Sequence, residues 1–183
     1  MPDGHDADNT GPSAAPITPT GLGGVELWDR SDHVLERIGL PLARRYGVQP
    51  GSDMEVLDYG TFLVCLIHGR VEDVIALRGY VGETNDGLRV GMSWRELLTR
   101  FPDVFCDEMQ RVWRLPSWPE TESELEIEID SPRKGDERYE ELGRVLDEEH
   151  ASVASISVRT TSPPSLDPRS LFSGELGHAG GPC

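Results

Sequence analysis

The sequence predicts an α+β fold: an antiparallel sheet built from two tandem strand-helix-meander units, with the helices packed on one face. Three observations predict it. Phe62 to Ile67 is an unbroken apolar run with aromatic and β-branched members, and Val71 to Leu77 returns it as a hairpin after His68-Gly69. Ser93-Trp94-Arg95-Glu96 has the spacing of a helix capping box and leads into Leu97, Leu98 and Phe101. Positions 63 apart also match in kind: Gly24 with Gly87, Leu35 with Leu98, Arg37 with Arg100, and Phe62, Val64 and Leu66 with Leu125, Ile127 and Ile129.

Residues 1–20, with Asp3, Asp6, Asp8, several prolines and one large apolar side chain after Met1, are expected to form a disordered tail. A single domain is expected over 21–160, with pseudo-repeats 21–80 and 84–160. Val25 and Leu27 suggest a short strand. Val34, Leu35 and Ile38 share a helical face, with Asp29 or Ser31 placed to cap that helix and Gly39 and Pro41 to stop it. Residues 42–53 read as a polar connection, Met54 and Val56 as the start of the sheet, and Phe62 to Ile67 as a strand buried on both faces. Leu88 and Val90 alternate as Val25 and Leu27 do, and the capped helix follows and ends at Pro102. Met109 to Leu115 reads as a strand. Tyr139, Leu142 and Leu146 put a short helix inside an insertion over 132–150. Val153 to Val158 then closes the sheet, echoing Val71 to Ala76 at a spacing of 82. From 161 to 183 the chain turns to Ser, Pro and Gly, and a second disordered tail is expected.

Of the 17 basic residues, 16 are Arg; 33 residues are acidic, and the formal charge is −16. Repulsion argues against nucleic acid or an anionic membrane as partner, while a basic protein would be attracted. No apolar run of about 18 residues and no basic-then-apolar leader is present, so a cytoplasmic protein is expected. Cys65, Cys106 and Cys183 are odd in number and widely spaced, which predicts neither a disulfide framework nor a zinc knuckle.

The most unusual stretch runs from Glu120 to Asp130. As a strand it turns Leu125, Ile127 and Ile129 to a core and Glu120, Glu122, Glu124, Glu126, Glu128 and Asp130 to the other face. A solvated face that blocks edge-to-edge pairing accounts for this pattern. So does a docking surface for a cationic partner, to which Trp113 and Trp118, close by in sequence, would add aromatic anchors. Alternating glutamates share one environment, whereas acid-base catalysis needs two contrasting ones. No nucleophile elbow, phosphate loop, HExxH or zinc pattern occurs, and Cys106-Asp-Glu is the one candidate nucleophile. No catalytic residue, metal site or cofactor is therefore expected.

Leu27 to Gly39 and Val90-Gly-Met-Ser-Trp-Arg-Glu-Leu-Leu-Thr-Arg-Phe101 are each followed by a hairpin ending in Gly-Arg-Val-x-x-Val or Ser-Val-x-x-Ile. Over residues 21–160 this arrangement resembles the tandem helix and antiparallel-sheet units of the β-lactamase inhibitor protein and the SmpA-like small lipoprotein domains. The chain departs from both in lacking a signal peptide, a lipid-anchor Cys and disulfide pairs. A cytoplasmic relative would be similar to the small acidic immunity proteins that bacteria keep beside secreted toxins. The resemblance implies a non-enzymatic inhibitor occluding a basic site on a toxin domain such as a nuclease. A structural or adaptor module with a solvated acidic face is the alternative, and an unrecognised hydrolase the second.

Overall fold

The computed structural model describes residues 14–47, 53–107, 112–116, 118, 123–130 and 151–161. A two-stranded ribbon, β1 (Gly21–Leu22) with β2 (Val25–Glu26), precedes helix α1 (Ser31–Ile38). Strands β3 (Ala43–Tyr46), β4 (Met54–Asp58), β5 (Phe62–Ile67) and β6 (Arg70–Ala76) follow. Helix α2 (Trp94–Arg100) leads into β7 (Phe105–Asp107), β8 (Val112–Arg114), β9 (Ser123–Asp130) and β10 (Ser152–Thr160). The eight later strands form one antiparallel sheet in the order β3-β4-β5-β6-β10-β9-β8-β7.

That order reads the same from either end, so the two units meet head to head at β6 and β10. Ile75 and Ser157 are 82 positions apart and are each other's partners in the β6–β10 ladder. A pseudo-twofold axis therefore passes between them. The chain entering each helix repeats the same bonds. Trp28 N–H donates to the Val71 carbonyl (2.7 Å), as Gly91 does to Val153 (2.8 Å). Val71 N–H donates to Asp29 and Val153 to Met92, both at 2.9 Å. Ser31 donates to Gly69 (3.0 Å), and Trp94 to Ala151 (2.9 Å). Bulges fall at equivalent places too, since Glu72 and Ala154 are the residues skipped in the two hairpin registers. Gly91 has φ 83, a conformation natural to glycine, whereas its counterpart Trp28 holds φ 72 with a side chain in place.

One face of the sheet carries the core. Phe62, Val64, Leu66, Val71, Val74 and Ala76 from the first unit, and Leu125, Ile127, Val153, Ile156 and Val158 from the second, are all buried. Each helix contributes its inward residue, Val34 or Leu97, to the same cluster, so both helices cover the same face. Fully burying such a side chain is worth about 1.5–3 kcal/mol. Tyr59 stacks on Phe62 at 4.9 Å, and Trp94 of α2 meets Trp113 edge-on at 4.7 Å.

Several expectations need correction. Phe62 to Ile67 is not buried on both faces: its pattern alternates, and Leu63, Cys65 and Ile67 are half-buried on the side away from α1 and α2. The fold begins before Gly21, because Ile17 lies in the core and its N–H donates to Glu83 O at 3.0 Å. The Tyr80 hydroxyl donates to Ala15 O and the Ser123 hydroxyl to Pro19 O, both at 2.6 Å, fixing residues 14–20 through partners more than 60 positions away. The expected polar connection over 42–53 contains the edge strand β3, and Leu88 and Val90 form no strand but flank a single bridge at Arg89. The helix expected over 132–150, the first three residues of the strand expected from Met109, and residues 1–13 and 162–183 lie outside the described residues.

Capping differs between the helices. Ser93 accepts from the Glu96 amide at 3.2 Å, as the capping box requires. Neither Asp29 nor Ser31 caps α1; the N-cap is Arg30, which forms no side-chain cap bond, while Asp29 accepts from the Glu26 amide (3.1 Å) and from Arg37 (3.0 Å). Yet Arg30 (φ −78, ψ 150) and Ser93 (φ −66, ψ 151) share one backbone conformation. Arg30→Ser should therefore stabilise the protein by about 0.5–1 kcal/mol, and Ser93→Ala should cost about 1 kcal/mol. Both are read from urea midpoints at unchanged slope; a destabilised Arg30→Ser would contradict the equivalence of the caps.

Candidate functional site

The face opposite the helices is the candidate site. Strand alternation sends Leu63, Cys65 and Ile67 of β5, Asp73 and Ile75 of β6, Ser155, Ser157 and Arg159 of β10, and Glu124, Glu126 and Glu128 of β9 to this side. Registry then sets neighbours: Asp73 lies between Cys65 and Arg159, Ser157 between Ile75 and Glu126, and Arg114 of β8 beside Glu126. An aliphatic half and a carboxylate half meet along the axis.

The expected acidic face is only partly as read from the sequence. Glu124, Glu126, Glu128 and Asp130 all belong to β9, whereas Glu120 and Glu122 lie outside the described residues. Arg114, with 15% of its side chain exposed, pairs with Asp107 (3.4 Å), Glu124 and Glu126 (3.0 Å), and Arg159 pairs with Glu126 at 3.3 Å. The Ser155 hydroxyl donates to Glu128 at 3.1 Å. Glu124 and Glu126 are thus compensated within the chain, while Glu128 and Asp130 are exposed. Neither tryptophan joins them. Trp113 pairs with Ile127 on the helix-covered face, and Trp118 packs against the core, its indole N–H without a partner among the described residues.

Sequence reasoning missed Asp73, Arg114 and Arg159. Burial raises the Asp73 pKa, and Glu126 adds to the rise, against the opposing hydrogen bond from Ser157 and the charge of Arg159. Burial, then the charge of Asp73, pushes the Cys65 thiol up to about 11, so it stays protonated at neutral pH. Cys106 pairs in register with Trp113, and no group of three or more His, Cys, Asp or Glu that could hold a metal occurs among the described residues. Among those residues no helix is long and apolar enough to cross a membrane.

No family model matches the chain, and no curated protein matches it significantly. Among solved structures it is similar to a cysteine-rich secretory protein from Staphylococcus aureus, at 10% identity and a TM-score of 0.44. That match covers 84% of this chain and 49% of the other, so the chain spans about half the length of that protein.

Two outcomes test the electrostatics of this face. Arg114→Ala removes the cation shared by Asp107, Glu124 and Glu126, of which Glu126 keeps Arg159, and should cost about 2–4 kcal/mol in urea unfolding; a change within 0.5 kcal/mol would mean that solvent already screens them. Asp73 behaves oppositely. Because its pKa is raised by folding, its contribution is most favourable below the unfolded value near 3.8 and is lost as pH rises through the folded value. Asp73→Asn, neutral at every pH and still able to accept from Ser157, should be more stable than the parent at pH 7. The advantage should vanish as pH falls below the ordinary aspartate range, and a pH-independent difference would contradict it.

Proposed function

We propose that this chain is a non-enzymatic acidic binding protein, an immunity-type inhibitor whose open sheet face docks on and occludes a basic site of a protein toxin domain such as a nuclease. One observation carries the reading: the two described helices cover the same side of the sheet, and among the described residues no helix lies on the other side, where half-buried aliphatic and charged residues stand side by side. Interface cores are apolar with polar rims, and this face has both. The formal charge of −16 would speed encounter with a cationic partner. Glu128 and Asp130, exposed at one side of the face, form no ion pair among the described residues. The tryptophans fall out of the site, since they serve the core.

The alternative, a structural or adaptor module with a solvated face, draws support from the pairing of Glu124 and Glu126 with Arg114 and Arg159. The two readings separate in one experiment. The full-length chain is used to isolate its partner from native cells, and the purified pair is followed by stopped-flow. Reversing Glu128 and Asp130 to Lys should slow association about tenfold at low ionic strength and far less at high salt. An association rate unchanged at both salt concentrations would favour the adaptor reading.

A further inference from the structure

The two halves of the open face present different chemistry at equivalent positions. Leu63 and Glu126 are 63 positions apart, as are Cys65 and Glu128, and Ile67 and Asp130. The pseudo-twofold axis turns these differences towards each other. A depression of about 490 Å³ lies there, with Leu63, Ile75 and Leu77 from the first unit facing Glu126 and Glu128 from the second, and Asp73 between them.

We propose that this depression is a slot for a cationic side chain on an aliphatic stem, a lysine or arginine of the docking partner. The inference rests on the docking reading above and names where the partner's charge is held. Three features favour such an occupant over any other. The described lining contains three carboxylates and no basic residue. Glu126 already accepts from Arg114 and Arg159, and Asp73 accepts from Ser157 with Arg159 beside it in register, but among the described residues Glu128 accepts from the Ser155 hydroxyl, which brings no positive charge. Leu63 and Ile75 are half-buried and outside the core cluster, so they offer an apolar wall to a stem whose head reaches the carboxylates. An uncharged aliphatic side chain would desolvate those carboxylates without replacing their hydrogen bonds. An anion would be repelled. The neighbouring depression, about 350 Å³, includes Arg159, Thr160 and Thr161 in its lining and is discriminated against by the same logic.

The test uses the full-length protein and n-butylammonium as probe, followed by amide chemical shifts. Saturable shifts are expected at Leu63, Ile75 and Glu128. Ammonium, which lacks the stem, should bind about tenfold more weakly. Butanol, which lacks the charge, should give no saturable shift at these amides, and Glu128→Gln, at an exposed position, should weaken butylammonium about fivefold. Equal response to butanol, shifts centred on Thr160 and Thr161, or no saturation would overturn the slot. Failure here together with slowed association of the lysine-reversal variant would remove the slot and leave the docking face standing. Butylammonium binding with unchanged association would do the reverse.

Discussion

The β6–β10 ladder is the constraint on which the rest of the structure depends. It runs through Ala76 with Ile156, Ile75 with Ser157, Val74 with Val158 and Asp73 with Arg159. Because Ile75 meets its own repeat counterpart, the two units are related by a pseudo-twofold axis normal to the sheet, and such a rotation keeps each side of the sheet on its own side. Val34 and Leu97 are therefore driven into one cluster on one side, and among the described residues no helix lies on the other. A one-residue slip in this ladder would send Val74 and Ile156 to the open face and break the shared core.

The open face follows from that geometry, and its chemistry from a difference between the units. Where the first unit has Leu63, Cys65 and Ile67, the second has Glu126, Glu128 and Asp130, which the fold accommodates because the described core cluster lies on the opposite side. Their repulsion had to be met locally. Arg114 on β8 and Arg159 on β10 flank β9 and neutralise Glu124 and Glu126, so the face is a mixed ionic network beside an aliphatic strip. The unusual burial of Asp73 at the join is a cost of meeting there: its ring of neighbours includes Glu126 as well as Arg159.

Much of this was legible because it was local. The apolar run of β5, the alternation of β9 and the Ser93 cap each write a period or a spacing into consecutive residues, and the repeat adds a second copy of each. What could not be read depended on contacts across the chain. Ile17 looked isolated because its core neighbours lie elsewhere in the sequence. Strands β3 and β7 were missed because edge strands need little apolar sequence; Ala43, Arg44, Arg45 and Tyr46 are all exposed. Nearness in sequence suggested Trp113 for the carboxylate face, but strand parity places it beside Ile127 on the opposite side, and only the register with β9 fixes that parity. Arg159 follows Val158 in a strand read for its apolar members, yet it is the residue that pairs with Glu126.

The claim that the open sheet face is the functional surface is tested most directly by carboxyl footprinting of the chain bound to the partner isolated with it. Glu128 and Asp130 should lose reactivity towards carbodiimide labelling in the complex, while Glu36, exposed on α1, keeps its own. Protection of Glu36 with Glu128 and Asp130 still labelled would place the partner on the helical side and contradict the account.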